Sequence, residues 1–394
     1  MSNFAQTPAA TRVGGFGQSA ATDAETAGRE CVRQALAGRS PSAGDVVFIF
    51  PNATYDLEAL HRAAVAQAAP ASVVGCTTCG AFTDETQVPL GAVAADLIAD
   101  EMSLGVCHVE RDDHDIAGTT RRAVETARER AGDAHPHSAL VLLCDGMTPD
   151  QREIARGAYE VTSAIVPLVG GAAGDDLFWR GTYTIGEDRV LDNGLLAVWI
   201  NSAHAIGVAV DHGWHVHGRP MLVTRAEGAT IHELDGRPAM EAYMEDLTEL
   251  TDGDRPFSEL RLEHPIGLPT VNGRYDLRHI HEVTREGGLT LTTGVPEQTV
   301  VQIMAGDREE VLEGARRSAE QAVARLGGAP RMALVFSCCT RVPLLGARIS
   351  EEIEAIAGAL GDGVPVGGFY TVGEFARVTG SAGIHNSSVA VLAL

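Results

Sequence analysis

The sequence predicts an α/β fold of repeated helix-strand-helix-strand-strand units that form mixed sheets, and three observations carry that prediction. A strand-to-glycine-turn phrase occurs three times, as VVGCTTCGAF (73–82), VPLVGGAAGDD (166–176) and VPVGGFYTVGEF (364–375). A repeated phrase reports a repeated supersecondary unit. A short apolar run precedes each copy, VVFIF at 46–50, ALVLLC at 139–144 and MALVFSC at 332–338. Runs of this length without polar alternation are those of strands buried on both faces. Each turn is followed by another apolar strand, at 91–99, 194–200 and 387–394.

In chain order, residues 1–27 are small, polar and glycine-rich, carry no signal-peptide pattern, and are expected to be a flexible leader. Arg/Ala/Glu-rich helices are expected over 28–37, 119–130 and 314–325, the last with Ala315, Ala319, Ala322, Val323 and Leu326 at helical spacing. After each buried run comes a second helix. Thr148 reads as the N-cap of one, with Pro149 in its first turn and Gln151 as capping-box partner. Ile349, Ile353, Ile356, Ala357 and Leu360 stripe another. The strand MSLGVCHV (102–109) is expected to end the first unit, and the second is expected to run into IGVAVDHGWHVHG (206–218). Past Met221 a strand pair leads to a helix opened by Pro238, with Ala239, Tyr243 and Leu247 on one face. A long excursion over 248–275 and short strands at 277–283, 289–293 and 299–304 precede the third unit. That unit is expected to complete a sheet begun by the first two and bring the chain end close to its start.

Composition narrows the function. A net charge of −23 argues against nucleic acid, whose phosphates demand a basic face. All 30 basic residues are arginine, so Schiff-base, pyridoxal phosphate and P-loop chemistry, each needing an ammonium group, are excluded. No apolar run approaches the roughly 20 residues of a membrane helix. A cytoplasmic protein is expected, and its seven cysteines do not read as a disulfide framework. There is no GxSxG elbow, HExxH helix or GxGxxG turn. A thiol-dependent enzyme using Cys144 or Cys338 is the remaining enzymatic reading, set against buried strand cysteines.

The order ALVLLCDG, VPLVGGAAGDDL, the HGW-containing segment, VTRAEG, ELDGRPAMEAY, LVFSCCTR and VPVGGFYTVGEF resembles the FIST family of bacterial sensory domains over about residues 28–394. The resemblance implies a FIST N-terminal domain over 28–219 and a FIST C-terminal domain over 220–394. It implies a signal-input role with a small-molecule ligand. For a subset of free-standing members it further implies haem b, nitric oxide sensing, and output to a histidine kinase or a cyclic-di-GMP enzyme. A homo-oligomer is compatible with this reading.

Two groups of residues could hold a ligand. Carboxyl ends of parallel strands gather at one sheet edge, where ligands bind. Thr77, Thr78, Cys79, Asp145, Gly170, Gly171, Asp175, Asp176, Arg341, Tyr370, Gly373 and Glu374 fall at such ends. An acid-and-arginine rim with Arg341 as a planar fork would suit an amino acid, whereas the bland reading gives the glycines to tight turns and the aspartates to capping. His212, His215 and His217 form the densest histidine cluster, and one imidazole would suffice as axial ligand of a b-type haem. Taken singly, each is read as a surface or hydrogen-bonded structural histidine. Cys76 with Cys79, and Cys338 with Cys339, have the spacing of redox pairs, but the other copies of the phrase do without thiols there.

Overall fold

A computed structural model describes residues 12–176, 180–248, 255–270, 273–377 and 383–394. Its main body is three six-stranded mixed sheets of one topology. In the first unit the opening strand Gly14–Ser19 pairs antiparallel with the closing strand Ala92–Leu97, which pairs antiparallel with Val46–Pro51, which runs parallel to Ser72–Cys76. The second unit repeats this with Met102–Glu110, Gly194–Ser202, His137–Cys144 and Leu168–Ala172. The third repeats it with Gly207–Asp211, Val389–Ala393, Ala333–Cys338 and Val366–Thr371.

Each unit also sends a hairpin into a neighbour's sheet. Thr184–Ile185 of the second unit pairs with Ser72–Cys76 of the first, and Glu374–Arg377 of the third pairs with Leu168–Ala172 of the second. Ala81–Thr83 of the first unit pairs with Val366–Thr371 of the third, so the exchange closes on itself. Circular closure is therefore realised by swapped hairpins. Chain start and end meet in the same region, since Gly14 lies against Met332, whose backbone pairs with Leu394.

The all-apolar strands follow from this arrangement. Val47 and Ile49 pack under the helices Ala24–Leu36 and Leu57–Ala68, while Phe48 and Phe50 on the opposite face join Val141, Leu143, Leu334, Phe336 and Phe369 in a core common to all three sheets. Phe50 stacks on Phe369 at 4.6 Å, and Phe336 meets Phe369 edge-on at 5.6 Å.

Four sequence expectations are corrected. The leader expected over 1–27 includes the strand Gly14–Ser19 and the start of the helix Ala24–Leu36. Its glycines are packing residues: a Cβ on Gly17 would stand 2.1 Å from the carbonyl oxygen of Cys31 in the covering helix. The strands 102–109 and 206–211 open the second and third units instead of ending the first and second, because their partners are the closing strands Gly194–Ser202 and Val389–Ala393. The N-cap at the helix Gln151–Thr162 is Asp150, whose carboxylate accepts from Arg152 N, and Thr148 is instead spent on Asp145. Finally, the 248–275 excursion holds the helix Phe257–Glu263 and the strand Ile266–Pro269, with 249–254 and 271–272 outside the described residues.

An insert between Gly207–Asp211 and the helix Arg308–Leu326 builds a further antiparallel sheet from strands between His215 and Ala305. Its core holds Ala239, Tyr243 and Leu247, the face expected to be buried.

The recurring glycine has one cause in all three units. A Cβ on Gly75, Gly170 or Gly368 would stand 1.8, 1.9 or 1.8 Å from the carbonyl oxygen of Ile49, Leu142 or Val335 on the parallel neighbour. Backbone cannot yield as a side-chain tip can. Replacing Gly170 or Gly368 by alanine is expected to cost at least ~2 kcal/mol in urea unfolding, whereas Gly228→Ala, where no atom lies within 4 Å but φ is +57°, should cost about 1 kcal/mol.

Candidate functional site

The turns after the parallel strands of all three units meet at one seam. Cys79 N–H donates to Tyr370 O at 3.0 Å, Gly174 N–H to Thr77 O at 2.9 Å and Val372 N–H to Ala172 O at 3.2 Å, each unit binding the next around the ring. A second set alternates with it: Thr77 N–H to Tyr183 O at 2.9 Å, Ala172 N–H to Gly373 O at 2.9 Å and Tyr370 N–H to Gly80 O at 2.8 Å. The strand ends read from sequence are thus brought together.

Their side chains are largely spent on one another. Thr77 Oγ1 accepts from Tyr183 N at 3.0 Å and Thr78 Oγ1 from Gly80 N at 3.1 Å. Asp145 accepts from Arg111 Nη1 at 2.7 Å, Thr182 Oγ1 at 2.6 Å and Met147 N at 2.8 Å. Asp175 accepts from Arg180 N at 2.6 Å, and Asp176 from Asn52 Nδ2 at 2.7 Å. Tyr370 accepts from Gln87 Nε2 at 3.2 Å. Gly170, Gly171 and Gly373 serve close packing, against Leu142 O, Thr371 and Gln151 respectively.

Arg341 does not offer the open fork expected of it. It is fully buried, pairs with Glu352 Oε1 at 2.5 Å, and donates to His212 O at 3.0 Å, Ser387 O at 3.3 Å and Val311 O at 2.8 Å. Glu374 is equally buried, held by Thr371 Oγ1 and by Ser388 N and Oγ. Burial first, and the neighbouring Cys338 second, push its carboxyl well above the usual range. The expected acid-and-arginine rim is therefore two separate internal networks.

Thiols concentrate here too. Cys339 is buried and in contact with Cys338 and Cys79, of which Cys79 is half-buried. Burial raises the Cys338 thiol, but donation from Cys339 and from Thr340 (Oγ1 at 3.2 Å) outweighs it and brings it down to about 6. Cys144, by contrast, is pushed up to about 12 by burial and by Asp145, which favours its protonated thiol.

The three histidines do not converge. His212 is partly buried with both ring nitrogens engaged: Trp214 N–H donates to Nδ1 at 3.0 Å, so Nε2 carries the proton and donates to Tyr275 O at 3.2 Å. Burial depresses it to about 4. His215 faces Glu310 at 3.1 Å, and His217 is exposed with its ring 6.2 Å from those of His215 and His264. No group of three or more His, Cys, Asp or Glu among the described residues is placed to hold a metal ion.

A third cluster lies where the insert meets the ring. Arg278, on the insert strand Tyr275–Arg278, is buried, donates through Nη1 to its neighbour Leu277 O at 2.7 Å, and has no hydrogen-bond partner for Nε. Burial pulls its pKa down, Asp276 opposes this, and Arg152 adds to it. Asp276 Oδ1 lies 3.6 Å from His385 Nδ1. Beside them Thr292 Oγ1 donates to Asn386 Oδ1 at 2.7 Å, and Arg152 bridges to Gly294 O at 3.3 Å. A buried guanidinium with an unmet donor is costly unless an anionic oxygen completes it. Sequence reasoning missed this group because Arg278 and His385 are far apart in the chain; the one available signal was the alternation that puts Asp276 and Arg278 on one strand face.

The FIST N domain profile matches residues 45–237 and the FIST C domain profile residues 239–377. An uncharacterized protein of Mycobacterium tuberculosis is 26% identical over 385 residues, covering 94% of this chain and 96% of its own. An uncharacterized protein of Methanocaldococcus jannaschii is 23% identical over 257 residues, 61% of this chain and 49% of its own. Cyanuric acid hydrolase from A. caulinodans aligns over 96% of this chain and 98% of that chain at 10% identity, with a TM-score of 0.38 that is too low for a shared fold or activity to be inferred.

The neutral His212 makes acid stability a direct test of this geometry. Its folded pKa, about 4, lies below the unfolded value of 6.5, so the unfolded state takes up the proton first. The contribution is fully present above pH ~6.5 and is lost as pH falls toward ~4, by about 3 kcal/mol across that window. His212→Gln is expected to flatten that part of the pH dependence of urea unfolding; an unchanged slope would contradict the buried neutral imidazole.

Proposed function

The chain belongs to the FIST family, whose domains are signal-transduction sensor domains, and from that premise we propose a cytoplasmic sensor that binds a small anionic organic ligand without turnover. The observation that carries the ligand class is Arg278, a buried guanidinium whose Nε–H has no protein acceptor, at the junction of insert and ring. A carboxylate seated there would meet charge-assisted donors from Arg278. Asp276 and the carbonyl-bound His385 beside it would suit the ammonium group of an amino acid. A ligand spanning insert and ring would tie two bodies together, which is how binding becomes a conformational signal. The output on this reading goes to a histidine kinase or a cyclic-di-GMP enzyme, and is tested by whether ligand alters that enzyme's activity in a reconstituted mixture.

The absence of turnover is supported at three of the candidate groups, Cys144, Asp145 and Arg341, though not at Cys338. Cys144 is held toward its protonated thiol, Asp145 is tied to Arg111, and Arg341 is spent on Glu352. Among the described residues no helix is long and apolar enough to cross a membrane.

Haem-based nitric oxide sensing is the second reading, and one observation favours it. The His217 imidazole is exposed and makes no hydrogen bond among the described residues, beside Val216 and near the antiparallel partner strand Val300–Ala305. His212 is less suited, since a bond to iron would cost it either Trp214 or Tyr275.

A thermal-shift screen of amino acids and small carboxylates decides the first reading. A true ligand at a hundredfold its dissociation constant should stabilise the wild type by about 2.7 kcal/mol, and Arg278→Gln should abolish the shift. No shift from either class, or an equal shift in the variant, overturns the assignment. Visible spectra of protein from haem-supplemented cells decide the second: a Soret band lost in His217→Ala but kept in His212→Ala is the expected result, and no band in folded protein ends the haem reading.

A further inference from the structure

Cys79 and Cys339 come from different units yet hang from consecutive carbonyls of one strand end. Cys79 N–H donates to Tyr370 O at 3.0 Å and Cys339 N–H to Thr371 O at 2.8 Å. The Cys339 thiol touches both Cys79 and Cys338. The ring itself does not call for sulfur at these places. The second unit has Gly174 where the first has Cys79, each donating its N–H to the preceding unit's strand end, and Gly174 lies directly against the Cys79 sulfur. Asn52 and Asp145 occupy the position of Cys338, each N–H bonding a carbonyl at the start of its unit's closing strand, Gly91 O and Gly194 O where Cys338 has Ser388 O. Three thiols therefore meet at one seam that fold geometry alone would fill with glycine, asparagine or aspartate.

Access differs among them. Cys79 is half-buried, while Cys338 and Cys339 are buried at 3% and 4% exposure. We propose that Cys79 and Cys339 form a reversible disulfide across the seam between the first and third units when the protein meets a peroxide, with Cys79 as the thiol oxidised first and Cys338 as the proton acceptor. The Cys79 sulfur attacks one peroxide oxygen; the S–O bond forms, the O–O bond breaks, and the leaving hydroxide takes up the proton that the Cys79 thiol gives up, so one water is released. The Cys339 proton passes to the Cys338 thiolate, the Cys339 sulfur attacks the sulfenic sulfur of Cys79, the S–S bond forms as the S–O bond breaks, and Cys338 hands that proton on to the departing hydroxide, which leaves as water and restores the Cys338 thiolate. Two thiols and one hydrogen peroxide give one disulfide and two waters. Thr340 Oγ1, donating to the Cys338 sulfur at 3.2 Å, stabilises the thiolate that receives the proton.

Such a bond would staple the seam where the first unit's hairpin enters the third unit's sheet, adding a redox input to a ligand-sensing body. The test uses the full chain treated with hydrogen peroxide, alkylated and digested without reductant. The expected product is a Cys79–Cys339 linked peptide that dithiothreitol reverses. It should be absent in Cys79→Ser and Cys339→Ser, retained in Cys76→Ser, and formed at least ~10-fold more slowly in Cys338→Ser. A Cys338–Cys339 or Cys76–Cys79 link in its place, or Cys79 oxidised to a sulfinic acid with no cross-link, overturns the proposal. If Cys339→Ser fails to fold, the wild-type peptide map and the half-buried Cys79→Ser variant still decide.

Discussion

The constraint on which the rest of this structure depends is that no sheet is complete within its own unit. Each four-stranded set gains its last two strands from another unit, and the inner faces pool their side chains into one core. Phe50 of the first unit, Phe336 and Phe369 of the third, and Val141 and Leu143 of the second lose their cover together if one hairpin leaves. Stability is accordingly a property of the ring, and the seam of alternating backbone hydrogen bonds is where the units are held in register. Sites at that seam report on all three units at once.

Buried charge is distributed with the same logic. Arg111–Asp145 and Arg341–Glu352 sit just past the ends of corresponding strands; Arg111 also binds Asp113 and the Thr148 hydroxyl, and Arg341 the carbonyls of His212, Ser387 and Val311. Removing one partner of such a pair strands the other, so these networks define a unique arrangement more than they add net stability. Arg278 departs from this pattern. It shares the burial, but its Nε lacks an acceptor, in contrast with its two satisfied counterparts.

Much of the fold was legible because its cause is local. The glycine phrase recurs since a parallel neighbour's carbonyl fills the space of a Cβ, and the buried runs are apolar since each strand has side chains packed on both faces. What escaped depends on partners distant in sequence. The strand Gly14–Ser19 reads as a loop because its glycines answer to a helix lying on them, not to a turn. Hairpin exchange, such as Thr184 opposite Cys76, leaves no mark on spacing. Arg341 looked like a ligand fork because the sequence shows only that it follows a strand; the helix Ile349–Leu360 turns Glu352 back onto it. Arg278 failed to stand out for the same reason, its neighbours Arg152 and His385 being supplied from both sides of the insert.

The exchange of hairpins also sets a schedule for synthesis. The segment Ala81–Val88 is made early, yet the strand that must receive it, Val366–Thr371, leaves the ribosome only when most of the chain has been built. Until then the edge of Ala81–Thr83 lacks its partner strand, and an open strand edge invites pairing with other chains. The first unit thus emerges as a nearly finished sheet with one arm outstretched, and the cell must keep that arm free until the last unit arrives to take it.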